Sequence, residues 1–208
     1  MSHCPFCEAP LETPLVCTSC ETLLPTSAAI SPFAVFGLPP SWVVVSDDLE
    51  RRLLKYSRLM HPDFFVTAAP EQRELAESGS AELNSAHEVL SDPLARGEWL
   101  VRHLGGPSEA EERQMPQAFL VEVLDWNETL EDAAGAAAGS PEWQALEELE
   151  GTLRARREGL FETIRGLLQP LPAEGAEALV EVRRSLNAAR YVDKSLAELT
   201  NLRLQAAH

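Results

Sequence analysis

The residues that decide the fold are 47–63, DDLERRLLKYSRLMHPD, a charged segment that ends in His61-Pro62-Asp63. Apolar side chains recur along it at helical spacing and form one stripe: Leu49, Leu53, Tyr56 and Met60. Because Pro62 has no backbone N–H and disfavours helical geometry at the preceding residue, we expect the helix to end at His61. The segment therefore predicts an imidazole and a carboxylate in an exposed loop at the end of an amphipathic helix.

The same helix carries a second stripe, which is basic: Arg51, Lys55 and Arg58, with Arg52 beside it. The 208-residue chain as a whole is acidic, with 17 Lys and Arg against 33 Asp and Glu and a formal net charge of -16. Four of its 17 basic residues thus fall within eight positions. A solvated helix face is the simplest alternative, but here the local charge opposes the global one. We interpret the stripe as a docking surface for an acidic partner.

Composition excludes several classes of protein. Hydrophobic residues make up 45% of the chain and the mean hydropathy is -0.14, as in globular proteins, with no apolar run long enough to span a bilayer. The net charge argues against general binding to nucleic acids or anionic membranes. The N-terminal residues lack the basic and apolar regions of a signal peptide and the Arg-rich pattern of a transit peptide. We therefore expect a cytoplasmic protein.

Proline, glycine and serine predict where the other helices begin and end. Gly37 should close a short helical turn, and Pro70 should begin a long helix. Ser91-Asp92-Pro93 should cap the next helix, which ends at Gly105-Gly106. Three more helices are expected to begin near Pro116, Ser140-Pro141 and Glu174, and no internal repeat is apparent.

These elements predict an all-α protein in three parts. A small cysteine module occupies residues 1–26 and ends in a linker at Pro25-Thr26-Ser27. Residues 31–106 should form a helical hairpin with its short flanking helices, and residues 108–208 an antiparallel three-helix bundle. No strand-rich stretch occurs outside the cysteine module.

The cysteine module contains two C-x-x-C pairs separated by nine residues: Cys4, Cys7, Cys17 and Cys20. Two such pairs can complete a tetrahedral thiolate shell with Zn–S bonds of about 2.3 Å. A segment this small cannot bury enough apolar surface to fold alone, so a metal would supply its folding energy. Disulfides would need an oxidising compartment, and a thioredoxin-type motif would need a βαβ context. We predict structural zinc, with iron in the same thiolate cage as the main alternative.

Several further motifs occur in a fixed order: Phe33-Ala34-Val35-Phe36-Gly37-Leu38, the basic helix, His61-Pro62-Asp63-x-Phe65, Asn84-x-Ala86 and Ser91-Asp92-Pro93-Leu94-x-Arg96. Together they resemble the J-domain of the HscB family, the J-protein co-chaperones of iron–sulfur cluster assembly. Later motifs resemble the fourth J helix and the C-terminal domain of that family: Arg96-Gly97-x-Trp99-Leu100, Ala118-Phe119-Leu120-Val121-Glu122 and Arg190-Tyr191-x-Asp193-Lys194. The resemblance covers residues 31–205, and the cysteine pairs resemble a metal module found in part of the family.

The resemblance implies a function and two sets of contact residues. The J-domain would dock on a DnaK/HscA-type chaperone and stimulate its ATPase, using Arg51, Lys55, Arg58, His61, Pro62 and Asp63. The C-terminal domain would bind an IscU-type scaffold, using Leu120, Val121, Leu124, Asp125, Glu128, Asp132 and Tyr191. Two residues depart from the family's pattern: Phe64 stands where many J-domains have lysine, and Val121 where methionine is common.

The composition of the C-terminal region agrees with a docking role. Residues 109–150 contain a dozen carboxylates and a single basic residue, Arg113. Acidic and apolar side chains are mixed on the helix that carries Leu120 and Leu124, as expected of a docking surface. The alternatives are the acidic surface of an ordinary bundle and, for Tyr191, a core aromatic whose hydroxyl reaches the surface.

Motifs for enzymatic function are missing from the sequence, which has no P-loop, no dinucleotide-binding turn and no nucleophile elbow. We therefore expect a protein that binds no nucleotide and activates the ATPase of a partner. A general J-protein that delivers unfolded clients is one alternative, although such proteins usually contain Gly/Phe-rich linkers and β-rich client domains. A zinc-ribbon nucleic-acid adaptor is another, and the net charge opposes it. A homodimer is left open.

Overall fold

The structure is a computed structural model that describes residues 3–25, 30–137 and 139–206. It divides the chain into two compact units, Met1–Arg96 and Gly97–His208. Within the described ranges the regular elements are helical, apart from isolated β-bridges in the cysteine module, which confirms the predicted all-α class. The division into domains 1–26, 31–106 and 108–208 stays a prediction, and Thr26 and Ser27 of the expected linker lie outside the described residues.

The cysteine module consists of two turns that repeat each other at an offset of 13 residues. In each turn the backbone carbonyl of the first cysteine accepts a hydrogen bond from the N–H four residues later. The Glu8 N–H donates to Cys4 at 2.9 Å, and the Glu21 N–H donates to Cys17 at 2.8 Å. Both glutamates adopt a positive φ, 60° and 58°. Bridges between residues 3 and 10 and between residues 16 and 23 close the two turns. The expectation of no internal repeat was therefore wrong: the two turns share the short pattern C-x-x-C-E-x-x-L, at residues 4–11 and 17–24.

The helices of the first unit are α1 (Pro32–Val35), α2 (Ser46–Met60) and α3 (Pro70–Ser91), with a 3-10 turn at Pro62–Phe65. The Ser80 hydroxyl donates to the Met60 carbonyl at one end of the hairpin, and Glu50 contacts His87 near the other, so α2 and α3 are antiparallel. The end of α2 at His61 and the start of α3 at Pro70 confirm the sequence prediction. The largest buried side chains of this hairpin include Phe33, Phe36, Tyr56, Met60, Leu83 and Leu90.

Helix α4 (Pro93–His103) runs across the boundary between the two units, and the Asp92 carboxylate caps it by accepting from the amides of Leu94 and Ala95. The second unit continues with α5 (Gln117–Ala133), α6 (Pro141–Leu168) and α7 (Ala178–Ala206). As predicted, Ser140 caps α6, its hydroxyl accepting from the Trp143 amide at 3.3 Å.

Helices α5, α6 and α7 pack into the predicted antiparallel bundle. Arg157 Nε lies 2.5 Å from Asp193 Oδ1, and Arg203 pairs with Glu150 further along, so α6 and α7 run in opposite directions. The core contains fully buried side chains from each helix: Phe119, Leu146, Leu153, Ile164, Leu179 and Leu186. Among the described residues, no helix is both long and apolar enough to cross a membrane.

The start of α7 differs from the sequence prediction. We expected the helix to begin near Glu174, but it begins at Ala178. Gly175 has a φ of 70°, which is outside the right-handed helical region, and its N–H donates to the Leu104 carbonyl at 2.7 Å. The backbone at 174–177 is therefore a turn that packs against the residues following α4.

Candidate functional site

The four cysteines of the N-terminal module converge on one small volume. Their sulfur atoms all lie within 4.8 Å of one another, with Cys4 and Cys20 at 3.7 Å and Cys7 and Cys17 at 3.6 Å. All four are free thiols. A tetrahedral ion with metal–sulfur bonds of about 2.3 Å separates its sulfur ligands by about 3.8 Å. The cysteines therefore fit a single tetrahedral metal ion, as the sequence predicts.

The thiols of this cluster differ in acidity. The Thr22 hydroxyl and amide lower the pKa of Cys20 to about 6. For Cys7 the Ala9 amide lowers the pKa, but the adjacent Cys20, burial and the remaining thiols outweigh it and raise the pKa to about 12. When four thiols share so small a space, each thiolate that forms makes ionisation of the other thiols less favourable. A divalent cation removes this competition, because the thiolate is the form that binds metal.

The basic residues of α2 fall into two groups. Arg51, Lys55 and Arg58 are exposed and form a continuous stripe. Arg52 is half-buried, donating from Nε to Asp48 Oδ2 and from Nη1 to the Phe36 carbonyl, each at 2.9 Å. Arg52 therefore holds α2 against the end of α1, while the other three remain at the surface.

The loop after α2 presents its polar side chains to solvent. The Asp63 N–H donates to Nδ1 of His61 at 3.3 Å, which assigns the proton of a neutral imidazole ring to Nε2. The side chains of His61 and Asp63 are 50% and 83% exposed. Phe64 is also exposed, and its ring meets that of His61 edge-on with centroids 5.9 Å apart. The loop thus offers a hydrogen-bond donor, a carboxylate and an aromatic ring side by side.

A contact that sequence reasoning missed joins the cysteine module to α2. Lys55 Nζ donates to both carboxylate oxygens of Glu12, at 2.7 and 2.9 Å. The two residues are 43 positions apart and neither belongs to a local motif that names the other. The only signal in the sequence was the opposite charge of the module and the helix.

The outer face of α5 combines apolar and acidic side chains. Its inner face is buried through Phe119, Val123, Trp126, Leu130 and Ala133. On the outer face Leu120, Val121 and Leu124 are 47%, 66% and 69% exposed. Asp125, Glu128 and Asp132 are exposed beside them. The structure therefore brings six of the seven predicted scaffold-facing residues to one solvent-facing surface, which we call the α5 patch.

The seventh predicted residue, Tyr191, lies on α7 and is half-buried. Its hydroxyl donates to Oδ1 of Asn127 at 2.9 Å, and its ring meets Phe119 edge-on. Tyr191 therefore packs against the buried face of α5. A groove of about 760 Å³ opens beside it, lined in part by Arg113, Arg190 and Lys194 and also by Glu109, which pairs with Arg190.

Comparisons with known proteins place the chain among co-chaperones. Residues 115–200 match the family described as HSCB C-terminal oligomerisation domain. The co-chaperone protein HscB homolog of Ralstonia nicotianae is 31% identical over 173 residues, 83% of this chain and 95% of that protein. The homolog of Bordetella petrii is 34% identical over 142 residues, 68% of this chain and 80% of its own. The iron-sulfur cluster co-chaperone protein HscB of Mus musculus is 29% identical and covers 81% of this chain and 69% of its own.

Solved structures share the fold. The crystal structure of human co-chaperone protein HscB superimposes with a TM-score of 0.76 at 22% identity, covering 98% of this chain and 100% of that one. Chaperone HscB from Vibrio cholerae gives a TM-score of 0.70, also at 22% identity, over 85% of this chain and 99% of its own. The sequence resemblance is thereby confirmed, and the chain belongs to the HscB family of co-chaperones.

Proposed function

We propose that the protein is a co-chaperone of iron–sulfur cluster assembly that stimulates ATP hydrolysis by a DnaK/HscA-type chaperone and delivers an IscU-type scaffold to it. One observation carries this proposal: the chain combines an exposed basic helix that ends in His61-Pro62-Asp63 with a separate exposed apolar and acidic patch on α5. Two different exposed surfaces are what an adaptor between two proteins requires. The names of the relatives support the same role.

The chaperone-facing surface would act through charge and geometry. Arg51, Lys55 and Arg58 concentrate positive charge in an otherwise acidic chain, which favours encounter with an acidic surface. The loop then supplies the directional contacts, with His61 donating from Nε2 and Asp63 accepting. These groups would rearrange the partner's catalytic site, and ATP would be hydrolysed there.

The scaffold-facing surface would act through burial. Leu120, Val121 and Leu124 expose apolar area that a bound scaffold removes from water. The carboxylates of Asp125, Glu128 and Asp132 flank this area. An apolar centre with a polar rim is the usual composition of a protein–protein interface. The acidic rim favours a scaffold surface that is basic around its own apolar contact.

The cysteine module would hold zinc through its four thiolates. A tetrahedral S₄ site suits zinc in a structural role, since such a site leaves no coordination position open. Cys4, Cys7, Cys17 and Cys20 come two from each turn, so the ion would hold the two turns together. Iron fits the same cage, and elemental analysis of the purified protein distinguishes the two metals.

The rate of ATP hydrolysis by a purified DnaK/HscA-type chaperone tests the proposed function. We expect the wild-type protein to raise this rate, and an IscU-type scaffold to raise it further. The variant His61→Gln should abolish the stimulation, because it removes the imidazole N–H. It should retain the circular dichroism of the wild type, since His61 is at the surface. Unchanged stimulation by His61→Gln, or none by the wild type, would contradict the proposal.

A further inference from the structure

Glu12 of the cysteine module is held in place by three hydrogen bonds. Two come from Lys55 Nζ, and the third is from the Thr18 hydroxyl to Oε1 at 3.0 Å. These donors also lower the pKa of Glu12, with Lys55 contributing most. The Glu12 carboxylate is therefore charged at neutral pH and lies between the second turn of the module and α2.

The backbone of Glu12 is equally constrained. Gly37 has a φ of 64°, and a Cβ atom at that position would lie only 2.2 Å from the Glu12 carbonyl oxygen. The next residue, Thr13, is buried, and its hydroxyl accepts from the Leu15 amide at 3.3 Å. Close packing at Gly37 thus sets the position of Glu12, and the contact with Lys55 follows from the fold of the module.

The module is an acidic body beside a basic helix. It carries Glu8, Glu12 and Glu21, and the chain has no Lys or Arg before Arg51. Four thiolates around a divalent cation add a net charge of about -2. The net charge of the module is therefore negative, the sign that we also expect of a partner surface that docks on α2.

The module also borders the surface where such a partner would sit. A groove of about 700 Å³ runs along α2, with Thr18 of the module on one wall. The α2 residues that line it include Arg51, Leu54, Lys55 and Arg58, and Leu54 is 56% exposed. A partner that fills this groove meets Lys55, whose Nζ is already paired with the Glu12 carboxylate.

We propose that Glu12 is an affinity-determining residue. Its ion pair with Lys55 competes with the acidic chaperone surface for that lysine and so weakens docking on α2. This inference rests on the proposed function. A carboxylate of the partner must displace Glu12 before it pairs with Lys55, so the folded module lowers the positive potential of the helix.

The variant Glu12→Gln tests the proposal in the full-length protein with a DnaK-type chaperone. We expect the concentration that gives half-maximal ATPase stimulation to fall two- to fivefold at low ionic strength, because exposed ion pairs contribute modestly. The gain should shrink as salt is added. Glu21→Gln is the matched control, since it removes the same charge from the same module. The gain should be absent when Glu12→Gln is made in a Lys55→Gln background.

Each result bears on the proposal once metal content is shown to match the wild type. An unchanged or higher half-maximal concentration for Glu12→Gln would overturn it, as would an equal gain from Glu21→Gln. Acetylation of Lys55 by acetic anhydride, followed by mass spectrometry, probes the contact directly and should be faster in Glu12→Gln. An unchanged acetylation rate would also overturn the proposal. Absence of stimulation by the wild type would instead contradict the proposed function.

Discussion

The Tyr191 hydroxyl donates a hydrogen bond to Oδ1 of Asn127 over 2.9 Å, and this bond ties α7 to α5 across 64 positions of sequence. The Tyr191 ring meets Phe119 edge-on, at a centroid distance of 6.1 Å. The two contacts lie two helical turns apart on α5 and so resist its rotation. Tyr191 therefore packs against the buried face of α5, while Leu120 and Leu124 are exposed on its outer face.

Replacing Tyr191 by phenylalanine should therefore affect stability more than scaffold binding. The change keeps the ring but leaves the Asn127 amide oxygen without its donor, which should cost about 0.5–1.5 kcal/mol of unfolding free energy. Urea unfolding measures this loss, and calorimetry measures scaffold affinity. A loss of affinity as large as that from removing the leucines of the α5 patch would mean that the hydroxyl itself contacts the scaffold.

The double variant Leu120→Ala, Leu124→Ala should weaken scaffold binding tenfold or more, since truncating a central interface side chain costs about 1–2 kcal/mol. Its stability should barely change, because both side chains are largely exposed already. Leu204→Ala provides a matched control, since Leu204 is a 59% exposed leucine on α7. Wild-type affinity in the double variant, measured by calorimetry, would show that the α5 patch is not the scaffold site.

Metal binding by the cysteine module should strengthen as pH rises. The pKa of Cys7 is raised to about 12 without an ion, so its proton must leave when metal binds, and each released proton adds about tenfold affinity per pH unit. Below about pH 6 Cys20 also gains a proton, so affinity should fall more steeply there. Competition for the metal with a chromophoric chelator, at pH values above and below about 6, measures how the affinity of the module changes with pH.

The double variant Cys4→Ser, Cys7→Ser is the control for this titration. It should purify without metal and should retain its helical circular dichroism, because the described helices all lie outside the module. A pH-independent affinity in the wild type, or full metal content in the variant, would contradict the predicted thiolate site.

Local signals predicted most of the helical architecture. Proline, serine and aspartate marked the starts of α3, α4 and α6, because capping and the missing N–H of proline act within one turn of helix. The apolar stripe of α2 was confirmed at Leu49, Tyr56 and Met60. The start of α7 was placed four residues early, because the bond from Gly175 to Leu104 depends on a segment distant in sequence.

The sequence by itself determined the chemistry of this protein: four thiols spaced for one ion, a basic helix that ends in His61-Pro62-Asp63, and an α5 face that mixes leucines with carboxylates. Residue type and helical period are local properties, so no fold is needed to see them. Tertiary structure alone decided that Glu12 pairs with Lys55 and that Tyr191 on α7 bonds to Asn127 on α5. Those pairs form only when packing brings distant segments together, at Gly37 in one case and at Phe119 in the other.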